Sequence, residues 1–264
     1  MKQSEVVYDQ IGSGYNATRQ ADPYIAERLF EFLGPTGGGV YLDIGCGTGN
    51  YTLALADKGI RFYGVEPSNK MLDVARSRSS DITWVEGVAG RLPFKDAHFD
   101  GAIATLTIHH WKDLHKGFGE LYRVLKSNTR LVIFTATPEQ MQGYWLNYYF
   151  PAMMESSIRQ MPSFETVSDA LTTAGFVLAG TEKYNIQDDL QDLFLYAGKN
   201  KPELYFDENI RAGISSFSAL ANAAEVERGL MQLRGDIDSG RFNCIRSKFA
   251  NSPGDYLFLT AKKC

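Results

Sequence analysis

Little in this sequence offers a covalent or metallic staple. Three cysteines, Cys46, Cys244 and Cys264, are scattered through 264 residues. That spacing excludes a disulfide framework and a thiolate metal quartet, and it suits a reducing compartment. No apolar run approaches the ~20 residues of a membrane span. No signal-peptide core follows Met1-Lys2-Gln3-Ser4-Glu5. Dense Lys/Arg clusters are absent and the net charge is −4, so nucleic acid is not an expected partner. Repeats and low-complexity tracts are absent too. What remains is 44% hydrophobic and 22% charged, enough to bury a full core. The expectation is a soluble, cytoplasmic, metal-free protein with no membrane partner, and with self-association as a homodimer left open.

One stretch organises the rest. Val40-Tyr41-Leu42-Asp43-Ile44 runs into Gly45-Cys46-Gly47-Thr48-Gly49-Asn50, and a helical pattern follows. The apolar run suits a parallel strand covered on both faces. The three glycines permit a sharp turn and close approach of a ligand to the backbone. The next helix then begins with its unpaired N–H groups facing that ligand. Glu66 closes a second apolar run, Arg61 to Val65. An acid at that strand tip is placed to accept hydrogen bonds from both hydroxyls of a ribose.

Along the chain, Asp22-Pro23 marks a helix start, and Ile25, Leu29 and Leu33 form its apolar stripe. Strands are predicted at 40–44, 61–65, 82–85, 99–106 and 130–135, with helical patterns between them. This rhythm means parallel β-α units with right-handed crossovers. It breaks at Pro138, where Met141, Tyr144, Trp145, Tyr148, Tyr149, Phe150, Met153 and Met154 crowd together. A helix from Ser163 and a strand over 176–186 resume the pattern. A second excursion, read as helical around 188–196 and 219–233, precedes a last strand at 256–261. The expected organisation is a cofactor-binding core with an N-terminal flap (1–137), a lid insertion (138–162), completion of the core (163–186 and 254–264) and a helical cap insertion (187–253).

These motifs together resemble the class I S-adenosylmethionine-dependent methyltransferases, in particular the small-molecule group that includes the ubiquinone/menaquinone C-methyltransferases. The pieces that carry the resemblance are 42–49, Gly64-Val65-Glu66-Pro67-Ser68, Gly87 to Phe94 with Phe99-Asp100, and His109-His110-Trp111 with 121–126. The resemblance implies a doubly wound, Rossmann-like α/β fold: a seven-stranded sheet in the order 3-2-1-4-5-7-6, last strand antiparallel, with an inserted helical cap. It implies S-adenosylmethionine as cofactor. Asp43, Gly45, Cys46 and Gly47 would border its methionine part, Glu66 its ribose, and Pro67, Val88 and Ala89 its adenine. Tyr15 from the flap and Thr105 at the end of the fourth strand complete the expected cofactor set. Where the family commonly has an aspartate for the adenine amino group, this chain has Val88.

Methyl transfer from a sulfonium is an in-line displacement that depends mainly on alignment, in a pocket that excludes water. His109 follows the fourth strand and is the candidate general base. His110, Tyr144, Trp145 and Tyr148 are candidate substrate contacts, and Arg159 or Arg211 could meet a substrate carboxylate. Asp188, Asp189 and Asp192 read as a solvated helical start. The expected activity is methyl transfer to a small-molecule O, N or C nucleophile in an apolar, lidded pocket. The alternatives are a non-catalytic S-adenosylmethionine-binding regulator and a nicotinamide oxidoreductase.

Overall fold

A computed structural model describes residues 18–249 and 252–264. Its sheet has seven strands in the order 3-2-1-4-5-7-6. They are β1 (Val40–Ile44), β2 (Arg61–Glu66), β3 (Thr83–Glu86), β4 (Phe99–Thr105), β5 (Leu125–Thr135), β6 (Phe176–Tyr184) and β7 (Tyr256–Lys263). β1 pairs in parallel with β2 and β4, while β7 lies antiparallel between β5 and β6. The central strands are apolar on both faces because helices cover both: Leu42, Ile103, Val132 and Ile133 are fully buried.

The connecting helices start where local chemistry dictates. In α1 (Pro23–Leu33), the Asp22 side chain accepts from the Ile25 N–H, and proline opens the first turn. α2 (Asn50–Ala56) follows the glycine turn directly, with Gly49 as its cap at φ 82°. In α3 (Asn69–Arg78), Ser68 caps by accepting from Met71 N–H. α4 (Leu114–Val124) uses Asp113 in the same way.

Beyond β5 the chain builds a helical layer. Residues 138–160 form α5 (Pro138–Gln142), α6 (Leu146–Tyr149) and α7 (Pro151–Gln160). α8 (Phe164–Ala174) returns to the sheet, ended by Gly175 at φ 101°. The second excursion contains two 3-10 turns, α9 (Glu208–Ala212), a π turn at Ser216–Leu220, α10 (Ala223–Asp238) and α11 (Phe242–Arg246). Two expectations are corrected here. Residues 188–196 form turns rather than a helix, and helicity resumes at 223 after a π turn, not continuously from 219. The reason is tertiary. Backbone groups of 190–193 bond to the segment before α1, through Leu193 N–H to Thr18 O (3.0 Å) and Gln191 N–H to Asp22 Oδ2 (3.0 Å), which takes them out of any local helical ladder.

One face of the sheet and the helical layer share a single apolar cluster. It runs from Ile25 and Leu29 of α1 through Phe134, Tyr256 and Phe258 of the sheet. It continues to Tyr144, Trp145, Phe150, Tyr196 and Tyr205 above them. The opposite face packs a second cluster under α4 and α8, built on Phe99, Phe118, Leu121 and Leu171. Among the described residues no helix is long and apolar enough to cross a membrane.

Candidate functional site

The carboxyl ends of β1, β2 and β4 meet at one edge of the sheet. β1 delivers Asp43, opposite Gly64 of β2 and Ile103 of β4. The turn after β1 is stitched to β2: Gly45 and Cys46 N–H groups both bond to Val65 O, at 2.7 and 3.1 Å. Gly45 sits at φ 73°, and a Cβ there would lie 1.9 Å from Thr107 Oγ1, so only glycine fits. Gly47, at φ 55°, is different. Among the described residues, a Cβ on it would meet only Met71 Sδ at 3.6 Å, which leaves this side of the turn open to a ligand from that part of the chain.

Glu66 is buried to 6% exposure. Its Oε2 accepts from Gly47 N–H (3.1 Å) and its Oε1 from Ser68 N–H (3.0 Å). A carboxylate has about four acceptor positions, so each oxygen keeps room for one hydroxyl. Burial raises the Glu66 pKa, and the two backbone donors partly offset it. Beside it the exposed Pro67 and Val88, 53% exposed, leave two apolar surfaces uncovered at adjacent strand ends, while Ala89 is buried. Cys46 turns its sulfur toward Gly64, where a Cβ would lie 2.9 Å from Sγ. Burial pushes its thiol pKa well up, so it is a packing residue and no thiolate.

Asp43 is buried, and its Oδ2 accepts from Thr52 Oγ1 at 2.6 Å. Burial raises its pKa to about 7, with the Thr52 bond opposing and the nearby Glu66 adding to the rise. An acid poised there is a strong place for a cationic group.

The end of β4 holds the second half of the site. Leu106 is forced to φ 51° while its N–H bonds to Phe134 O (2.8 Å). A branched residue in that region is strained, and such strain collects at functional edges. A 3-10 turn, Ile108–His110, follows. The His109 and His110 rings lie 3.9 Å apart between centroids. Burial pulls the His110 pKa down to about 4. His109 is pulled well below its ordinary value, by burial first and then by the charges of His110 and Arg19. Both imidazoles are neutral at physiological pH. Among the described residues, His109 Nδ1 and Thr105 Oγ1 are buried side-chain atoms without a hydrogen-bond partner. Two orphaned groups at one sheet edge ask for a ligand that supplies their bonds.

Other expected residues are placed elsewhere. Tyr15 lies outside the described residues. Tyr144 and Trp145 are fully buried, closed into the helical layer. Tyr144 stacks on Tyr196 (3.9 Å) and donates to Asp255 O. Trp145 Nε1 donates to Lys199 O (3.1 Å) and its ring meets Tyr149, Tyr205 and Phe242. Tyr148 is 42% exposed. Arg159 pairs with Glu155 on the surface, and Arg211 donates to Tyr205 O. The expectation of a solvated Asp192 is corrected. It is 1% exposed, bonded to Arg19 Nε (2.5 Å) and Tyr51 OH (3.1 Å). Arg19, Tyr51, Thr52 and Thr107 escaped sequence reasoning. Only the position of Thr52 two residues into the helix after the turn hints at its partner. Among the described residues, no cluster of His, Cys, Asp and Glu is arranged to hold a metal.

The comparisons with known proteins agree with this geometry. Residues 42–133 match the family model described as "Methyltransferase domain". A crystal structure from Anabaena variabilis, assigned as a methyltransferase from an antibiotic biosynthesis pathway, is 34% identical. It superposes with a TM-score of 0.83 over 93% of this chain and 99% of that one. The demethylmenaquinone methyltransferase of Clavibacter sepedonicus is 28% identical over 211 residues, covering 70% of this chain and 85% of its own. Geranyl diphosphate C-methyltransferase of Streptomyces coelicolor A3(2), solved with S-adenosyl-L-homocysteine, shares the fold at 17% identity. Its TM-score is 0.58 over 91% of this chain and 79% of that one. The chain belongs to the class I S-adenosylmethionine-dependent methyltransferases. S-adenosylmethionine is its cofactor and methyl transfer its activity.

Proposed function

We propose that the chain methylates an apolar, hydroxyl-bearing small molecule held between the end of β4 and the helical layer formed by 138–162 and 187–253. The observation that carries this reading is the pair of buried, unpartnered atoms that β4 and the turn after it supply, Oγ1 of Thr105 and Nδ1 of the neutral His109. Two neutral groups that need hydrogen bonds favour a neutral polar atom on the acceptor. The surrounding Met- and aromatic-rich layer favours an apolar body. A demethylmenaquinone methyltransferase among the relatives supports the apolar body of the acceptor.

When bound, S-adenosylmethionine supplies an electrophilic methyl on a sulfonium. The residues of this chain do the rest. Glu66 would accept the ribose hydroxyls, Pro67 and Val88 would flank the adenine, and the glycine turn and Asp43 would receive the methionine ammonium. Arg19, whose carbonyl accepts from Asn50 Nδ2 (2.8 Å) over the start of α2, provides a cation for the methionine carboxylate. His109 orients the acceptor hydroxyl. Its weakly basic imidazole would take the proton of that hydroxyl, which becomes strongly acidic once its oxygen is methylated.

The test is a screen of labelled S-adenosylmethionine against apolar phenols and hydroquinones, with amines and carboxylic acids in parallel. Label transferred to the hydroxylated apolar set is expected. Transfer only to amines or carboxylates would sink the acceptor class. His109→Ala should lower turnover by ~10²-fold and leave S-adenosylhomocysteine affinity within about twofold.

A further inference from the structure

Asp192 is an unusual residue to find at the base of a helical insertion. It is fully buried and charged, and its partners come from two distant parts of the chain. Arg19 precedes α1 and gives its Nε and Nη2 to the two oxygens of Asp192, at 2.5 and 3.4 Å. Tyr51 is the second residue of α2, directly after the glycine turn, and its hydroxyl donates to Oδ2 at 3.1 Å. The neighbouring backbone repeats the connection, with Leu193 N–H on Thr18 O at 3.0 Å. A buried ion pair of this kind seldom adds net stability over an apolar replacement, because desolvation offsets the attraction. Its worth lies in fixing where the charged groups point.

We propose that Asp192 is a positioning residue for the cofactor: it aims the Arg19 guanidinium at the methionine end of the cleft and, through Tyr51, ties the 187–253 insertion to the helix behind the glycine turn. The inference deepens the reading of Arg19 given above and rests on it. The two parts of the fold that hold donor and acceptor are thereby joined by one carboxylate. Arg19 also acts on His109 by its charge, helping to lower the pKa of that imidazole.

The test compares two ligands on the full chain by calorimetry. S-adenosylhomocysteine carries the amino-acid end, and 5′-methylthioadenosine keeps adenine, ribose and thioether without it. Asp192→Asn keeps hydrogen-bonding capacity and removes the charge. It should weaken S-adenosylhomocysteine about tenfold and leave methylthioadenosine within about twofold. Tyr51→Phe removes the bond to Asp192 together with the long 3.5 Å bond that the hydroxyl accepts from Asp22 N–H, and should show the same split at about threefold. Equal weakening of both ligands, or of neither, in Tyr51→Phe and Asp192→Asn overturns the proposal; should Asp192→Asn fail to fold, Tyr51→Phe decides alone. Wild-type protein that binds both ligands equally well would instead overturn the carboxylate role of Arg19.

Discussion

Cofactor affinity should depend on pH through Asp43, and the size of the effect follows from the site. Its folded pKa lies at about 7 against an ordinary 3.8, because burial penalises the anion and Thr52 alone compensates by a hydrogen bond. The free protein below pH 7 therefore holds a proton on Asp43. An ammonium group arriving at the glycine turn requires the carboxylate, so binding in that range must expel the proton. Each pH unit below the folded pKa then costs about 1.4 kcal/mol, or tenfold in affinity. Between pH 8 and pH 6 the dissociation constant of S-adenosylhomocysteine should rise about tenfold. Calorimetry at pH 6 in two buffers of different ionisation enthalpy should show close to one proton released, and at pH 8 almost none. Asp43→Asn should flatten the profile. Affinity that is level from pH 6 to 8, with no proton exchange, would refute the assignment of Asp43 to the cofactor's cation. The stability of the free protein runs the opposite way with pH, because the folded state holds the extra proton. A group whose folded acid pKa is raised contributes least as the anion, so the Asp43 contribution declines as pH climbs from 3.8 through about 7.

Three substitutions extend the test. Glu66→Ala should weaken S-adenosylhomocysteine by more than about tenfold, since two charge-assisted hydrogen bonds to the ribose are lost; unchanged affinity by calorimetry would remove Glu66 from the ribose site. Gly45→Ala forces a Cβ to 1.9 Å from Thr107 Oγ1 at φ 73° and should cost about 2–4 kcal/mol in urea unfolding. Val88→Asp supplies an acceptor beside the adenine edge and should tighten S-adenosylhomocysteine about fivefold, close to 1 kcal/mol; no gain in affinity would show that the adenine amino group bonds elsewhere.

What could be read from the sequence was local or carried by ordered motifs. The glycine turn, Glu66 and the β-α rhythm each depend on neighbours a few residues apart, and the seven-strand order came from the resemblance those motifs carry. The misreadings share one physical cause. Asp192 lies 173 positions from Arg19 and 141 from Tyr51, so its acidic neighbourhood looked like an ordinary solvated helix start. Residues 188–196 lost their helix to the same long-range bonds. Tyr144 and Trp145 stood in a stripe that fits either a pocket wall or a core. Their burial was settled by Tyr196, Tyr205 and Phe242, which arrive from the second insertion. Burial of His109 is likewise a tertiary property, and it keeps the imidazole neutral and weakly basic.

The shared apolar cluster bears on how acceptor preference can be changed in the laboratory. Phe134, Tyr184, Tyr256 and Phe258 of the sheet and Tyr144, Phe150, Tyr196 and Tyr205 of the insertions form one interdigitated body. A chimera that exchanges 138–162 and 187–253 would present these sheet aromatics to a foreign surface of different relief, and mismatched cores lose stability with each void or overlap. Exchanging acceptors between relatives by grafting the insertions alone should therefore yield poorly folding hybrids. Recutting the β5, β6 and β7 side chains together with the graft is the practical route to a new specificity.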